Sequence, residues 1–167
     1  MSEIAGRLDA SQLDVAIVAA RFNDFIVGSL IKGATEAWHR HGGDAARLML
    51  ARVPGAFELP LAAQQLALSG RYHAVVALGC VIRGDTAHFD YVAGEAAAGL
   101  TRAALDAGRP VVFGVLTVEN VEQALERAAV SRLNKGGESM DVAIEMANLL
   151  RESAFQPLAP RGERTPT

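Results

Sequence analysis

The chain alternates between two kinds of hydrophobic pattern. Val15 to Ala20 is an unbroken apolar run, VAIVAA, as expected of a strand buried on both faces. Arg21-Phe22-Asn23-Asp24 breaks it, and the period then changes. Ile26, Leu30, Ala34, Ala37, Trp38 and His41 recur at spacings of three and four, which predicts a helix that Gly42-Gly43 ends. The cycle repeats. Leu48–Val53 reads as a second strand closed by Pro54-Gly55, and 58–68 as a second helix, where Pro60 fits only in the first turn. Ala74–Ile82, AVVALGCVI, reads as the third strand, and a loop over 83–89 leads to an Ala/Gly-rich helix reaching Ala107. A fourth strand is expected over 111–116, then helices over 118–129 and 137–151. Strands alternating with helices through right-handed crossovers predict an α/β fold. It is a single-domain three-layer αβα sandwich with a four-stranded parallel sheet. The domain is expected over 14–152, after an N-terminal arm at 1–13 without clear period. A flexible tail is expected at 153–167, which carries three prolines from Gln156 onward.

Composition narrows the function classes. Half of the 167 residues are hydrophobic but only 5% are aromatic, so the core is built largely of small side chains. The formal net charge is −3, which argues against a duplex nucleic-acid binder or a membrane-surface protein. A single cysteine, Cys80, excludes an internal disulfide and a zinc site built mainly on thiolates. No apolar run approaches the ~18 residues of a membrane span. No basic-then-apolar leader precedes Leu8, so a cytoplasmic protein is expected.

In open parallel sheets, ligands bind beyond the carboxyl ends of the strands. That rule selects Arg21-Phe22-Asn23, 54–58, 83–88 and 117–120 as candidate site segments. None holds a common phosphate loop or a nucleophile elbow. His39 and His41, two apart on a helix, are not placed to share a metal. His88 falls where the third strand leads into a helix, and an imidazole there can move protons near neutral pH. Thr86 and free helix amides beside it suit an anion. The other reading is that Asp85 or Thr86 simply caps the helix and His88 is a surface residue. Phe22 and Phe57 lie in two different strand-end loops, where they either stack on a flat ligand or plug the sheet end as core. Glu58 either binds hydroxyls or starts the helix as a first-turn acid. Arg127 and Lys135 could hold an anion, and Arg127 could equally complement a helix dipole.

Taken in order, Arg21-Phe22-Asn23 is followed by two long and specific segments: Val53-Pro54-Gly55-Ala56-Phe57-Glu58-Leu59-Pro60, and the stretch from Ala77 to Val92 containing Gly79-Cys80-Val81-Ile82-Arg83-Gly84-Asp85-Thr86-Ala87-His88-Phe89. Gly114-Val115-Leu116-Thr117, the run from Gln123 to Ala128 and Asn134-Lys135-Gly136 follow them. Over about residues 13–150 the chain resembles the lumazine synthase family. The resemblance implies a flavodoxin-like sandwich and a transferase of riboflavin biosynthesis. The reaction joins 5-amino-6-(D-ribitylamino)uracil to 3,4-dihydroxy-2-butanone 4-phosphate, yielding 6,7-dimethyl-8-ribityllumazine, phosphate and water. It implies no metal and no redox cofactor.

By that resemblance, Phe22 stacks on the pyrimidine, and Asn23, Ala56, Phe57 and Glu58 line the ribityl site. Backbone groups of Cys80, Val81 and Ile82 bind the pyrimidine edge, and Cys80 is no nucleophile. Asp85 and Thr86 hold the phosphate with Arg127, and His88 transfers protons. The family forms pentamers with sites between subunits, so Phe113, Arg127 and Lys135 would come from a neighbour. Some members build sixty-subunit shells, and these tend to have glycine between the last two helices. This chain reads Ala128-Ala129-Val130-Ser131-Arg132-Leu133-Asn134 there, which leaves the shell open. Asp85 stands where many relatives have glycine, and its carboxylate beside a phosphate is unfavourable unless it turns outward. The alternatives are a riboflavin synthase of the same fold, and a non-catalytic flavin or lumazine binder or shell protein.

Overall fold

The computed structural model describes residues 1–157. The four strands are β1 (Val15–Ala20), β2 (Leu48–Val53), β3 (Ala74–Ile82) and β4 (Val111–Val118), and the helices are α1 (Asp24–Arg40), α2 (Leu59–Leu68), α3 (His88–Ala107), α4 (Val121–Ala128) and α5 (Lys135–Arg151). All strand pairs are parallel and the order is β2-β1-β3-β4. This is the flavodoxin-like arrangement without its fifth strand.

The two unbroken apolar runs, β1 and β3, take the centre. Every residue of β1 is buried, and its side chains alternate between two cores. Val15, Ile17 and Ala19 join Trp38, Met140 and Ile144 under α1, α4 and α5. Ala16 and Val18 join Leu59, Ala63 and Leu100 under α2 and α3. The less uniformly buried β2 and β4 form the edges. Trp38 is wholly buried, and its indole N–H donates to Asp44 O at 2.9 Å.

Several boundaries differ from the expected ones. β4 runs on to Val118, whose carbonyl accepts the Arg83 N–H at 2.9 Å, so α4 starts at Val121 and not at 118. α3 begins at His88 itself. α5 begins at Lys135, two residues before the expected start, with Asn134 as its cap accepting from the Gly137 N–H at 3.1 Å. Gly136 falls before the expected start, yet it is helical where α5 crosses α1. A Cβ on Gly136 would stand 2.0 Å from Leu30 O.

From Arg7 onward the N-terminal segment lies on its own domain. Asn148 Nδ2 donates to Arg7 O at 2.7 Å and Asp9 O at 2.9 Å, and the Ala10 N–H donates to His41 O at 2.9 Å. Ala10 and Leu13 are fully buried. Of the expected tail, Ser153–Phe155 forms a short 3-10 turn, and 158–167 lies outside the described residues. Among the described residues no helix is long and apolar enough to cross a membrane.

Candidate functional site

The chain leaves β1 to one side toward β2 and then crosses to the other side for β3, so a crevice opens between the carboxyl ends of β1 and β3. Three contacts shape it. The N–H groups of Arg21 and Phe22 donate to Val53 O and Pro54 O at 2.8 and 3.1 Å, which carries the β1–β2 pairing into the loops and sets Phe22 beside 54–58. Asn23 takes the left-handed conformation (φ 59°) that asparagine tolerates. Its side chain then crosses the crevice, and Nδ2 donates to Cys80 O at 2.9 Å.

The resulting cavity measures about 680 Å³. It is walled by Phe22, Ala56, Phe57 and the end of β3 from Cys80 to Ile82, with Glu58, Thr86 and His88 also on its lining. Phe22 is 71% exposed and Phe57 57%. They are not core plugs, and their rings are available to a ligand. Sequence reasoning did not single out Phe89, Tyr91 and Val92, which also line the cavity. The signal lay in the helix itself: a start at His88 turns 88, 91 and 92 to one side.

The chemistry of the lining is uneven. Burial pushes the Cys80 thiol up to about 11, so it holds no thiolate at neutral pH and is unsuited to nucleophilic attack. Cys80 O already accepts one hydrogen bond from Asn23, which leaves its second lone pair for a ligand. His88 is exposed at the first position of α3, and its N–H donates to the Thr86 hydroxyl at 3.4 Å. Asp85 is exposed and does not line the cavity. Among the described residues no group of three or more His, Cys, Asp or Glu side chains could hold a metal ion.

Three of the expected site residues lie elsewhere. Phe113, Arg127 and Lys135 line a second cavity of about 460 Å³, outside the edge strand β4 and between α4 and α5. Arg127 Nη1 donates to Gln123 O in its own helix at 3.4 Å, and no carboxylate pairs with it among the described residues. Lys135 pairs with Glu138 at 2.6 Å. One chain thus carries an apolar, aromatic cavity and a separate cationic one.

A family model described as 6,7-dimethyl-8-ribityllumazine synthase matches residues 12–151. The 6,7-dimethyl-8-ribityllumazine synthase of Nitratidesulfovibrio vulgaris is 50% identical over 149 residues, 89% of this chain and 96% of that relative. The one of Chlorobium chlorochromatii is 49% identical over 152 residues, 91% of this chain and 98% of that relative.

Proposed function

Because the chain belongs to the 6,7-dimethyl-8-ribityllumazine synthase family, we infer that its strand-end cavity is where the two substrates of that reaction meet. The protein is a transferase of riboflavin biosynthesis. It condenses 5-amino-6-(D-ribitylamino)uracil with 3,4-dihydroxy-2-butanone 4-phosphate to 6,7-dimethyl-8-ribityllumazine, phosphate and water. The observation that carries the site assignment is the cavity at the β1–β3 crevice, with two exposed phenylalanine rings and a histidine on its lining. A flat heterocycle bearing a hydroxylated chain calls for that mix of stacking surface and a few fixed polar groups.

In this reading Phe22 stacks on the pyrimidine, whose edge meets backbone groups of Cys80, Val81 and Ile82. Glu58 accepts hydrogen bonds from ribityl hydroxyls beside Ala56 and Phe57. Asn23 serves this wall through its bond to Cys80 O. The substrate amine attacks the ketone to form an imine with loss of water, phosphate leaves by elimination, and the second amine closes the ring with loss of a second water. His88 moves protons between these steps. Thr86 and the backbone at Asp85 hold the phosphate, with the Asp85 carboxylate turned to solvent.

The cationic partner of that phosphate is Arg127, which lines the other cavity of the same chain. The separation of the two cavities supports a shared site, in which a neighbour supplies Phe113, Arg127 and Lys135. We assign a pentamer, leave assembly into a sixty-subunit shell to direct measurement, and place the protein in the cytoplasm. A guanidinium there neutralises charge as phosphate leaves. The reading of a non-catalytic flavin or lumazine binder is not favoured.

The test is to mix purified protein with both substrates and follow the fluorescent lumazine, with Arg127→Ala alongside. Turnover well above the spontaneous rate, greatly reduced in the variant, is the expected result. A folded protein that binds lumazine but makes none would overturn it.

A further inference from the structure

The segment 83–87, which joins β3 to α3, has little of its own to hold it. It is exposed and has no regular secondary structure. Ala87 offers α3 no side-chain cap, and the hydrogen bond between Thr86 and His88 is long, at 3.4 Å. A Cβ on Gly84 would meet nothing within 4 Å, so packing does not fix the loop either. Yet Thr86 and His88 both line the cavity.

Arg83 supplies the missing restraint. Its N–H donates to Val118 O at 2.9 Å. Its Nε donates to the two Glu119 carboxylate oxygens at 2.9 and 3.3 Å, and Nη1 donates to Asp90 Oδ1 at 3.2 Å. The guanidinium also lies over the Phe89 ring, 4.1 Å from its centroid. Glu119 is itself held, because its N–H donates to Gln123 Oε1 at 2.9 Å. One side chain therefore ties the end of β3, the turn after β4 and the first turn of α3. A planar fork that also stacks can do this, and a lysine ammonium cannot.

We propose that Arg83 is a positioning residue for the reaction: by clamping Phe89 and Asp90 to Glu119 it sets where His88 and Thr86 stand at the cavity. This rests on the catalytic reading of that cavity. Arg83 does not itself line it. Its pairs are substantially exposed, with side chains 39% exposed at Arg83 and 61% at both Asp90 and Glu119. Such pairs add little to global stability, so position and stability are separable here.

The experiment compares the full-length protein with Arg83→Lys, Arg83→Ala and Glu119→Gln in three readouts: lumazine formation, melting temperature, and amide exchange over 84–89. Arg83→Ala should lower kcat/KM by roughly tenfold or more, the scale set by small misplacements of reacting groups. Its melting temperature should stay close to the parent's, and exchange over 84–89 should accelerate. Arg83→Lys should recover only part of the loss, and Glu119→Gln should show a milder form of it. Parental kcat and KM in Arg83→Ala, or a loss that only follows the folded fraction, would overturn the proposal. Should the parent itself make no lumazine, the catalytic reading fails instead. Loop exchange then decides alone whether Arg83 holds the segment.

Discussion

His88 stands at the first position of a helix, exposed, with no carboxylate among its hydrogen-bond partners. In the proposed reading it shuttles protons without being the sole source of rate, and much of the acceleration should come from holding two substrates together. His88→Ala should therefore lower turnover by on the order of 10²-fold and leave a measurable residue. Complete loss in a folded variant would contradict this role. Cys80 makes the opposite case. Its buried, protonated thiol has no part in the proposed chemistry, so Cys80→Ala should keep turnover close to the parent's. Cys80→Ser places a hydroxyl at the same buried position and should cost about 1–3 kcal/mol in urea unfolding. The sequence alone left Phe22 and Phe57 open between core and ligand face. A phenylalanine at a strand end satisfies either role, and only the backbone bonds that carry the β1–β2 pairing into the loops decide it.

Among the elements, the crossing of α1 and α5 depends most on one missing atom. Gly136→Ala drives a methyl into Leu30 O, a backbone atom that cannot turn aside. It should cost at least about 1–3 kcal/mol, read as a lower urea midpoint at unchanged slope. The same residue explains a boundary that sequence reasoning could not place. Glycine disfavours helix by propensity, and only tertiary packing carries the helix start back over Gly136 to Lys135. By contrast, β1 and β3 were legible because burial on both faces leaves an unbroken apolar run. Their central position agrees with that pattern, but the full strand order depends on crossovers that no single element encodes. The candidate site was legible to a similar depth. The strand-end rule pointed to its loops, whereas the parting of Arg127, Lys135 and Phe113 from the other residues was implied only by the family resemblance, because it depends on how α4 and α5 pack outside β4.

At the scale of the molecule, acid should lower stability over two separate pH ranges. Burial, with Arg151 and Arg109 nearby, pushes the His73 imidazole below its usual value, against an opposing pull from Asp14. Its unfolded form takes up a proton first, so stability falls as pH drops from about 6.5 through the lowered folded value. A hydrogen bond from Arg47 holds the Asp14 carboxyl below its usual range, so its contribution is present above about pH 3.9 and is lost as pH falls through the lower folded value. Melting temperature against pH should show both limbs. His73→Gln, whose amide oxygen can still accept the Asp14 N–H that His73 Nδ1 accepts at 2.9 Å, should flatten the upper one. The two separate cavities of the chain have a further consequence for mixtures. If each site draws its histidine from one subunit and its arginine from the next, two damaged proteins can repair each other. Co-refolding equal amounts of His88→Ala and Arg127→Ala chains would create intact junctions at about a quarter of positions in a closed ring. The hybrid should then exceed the activity of either parent, whereas sites complete within one chain would give only their average.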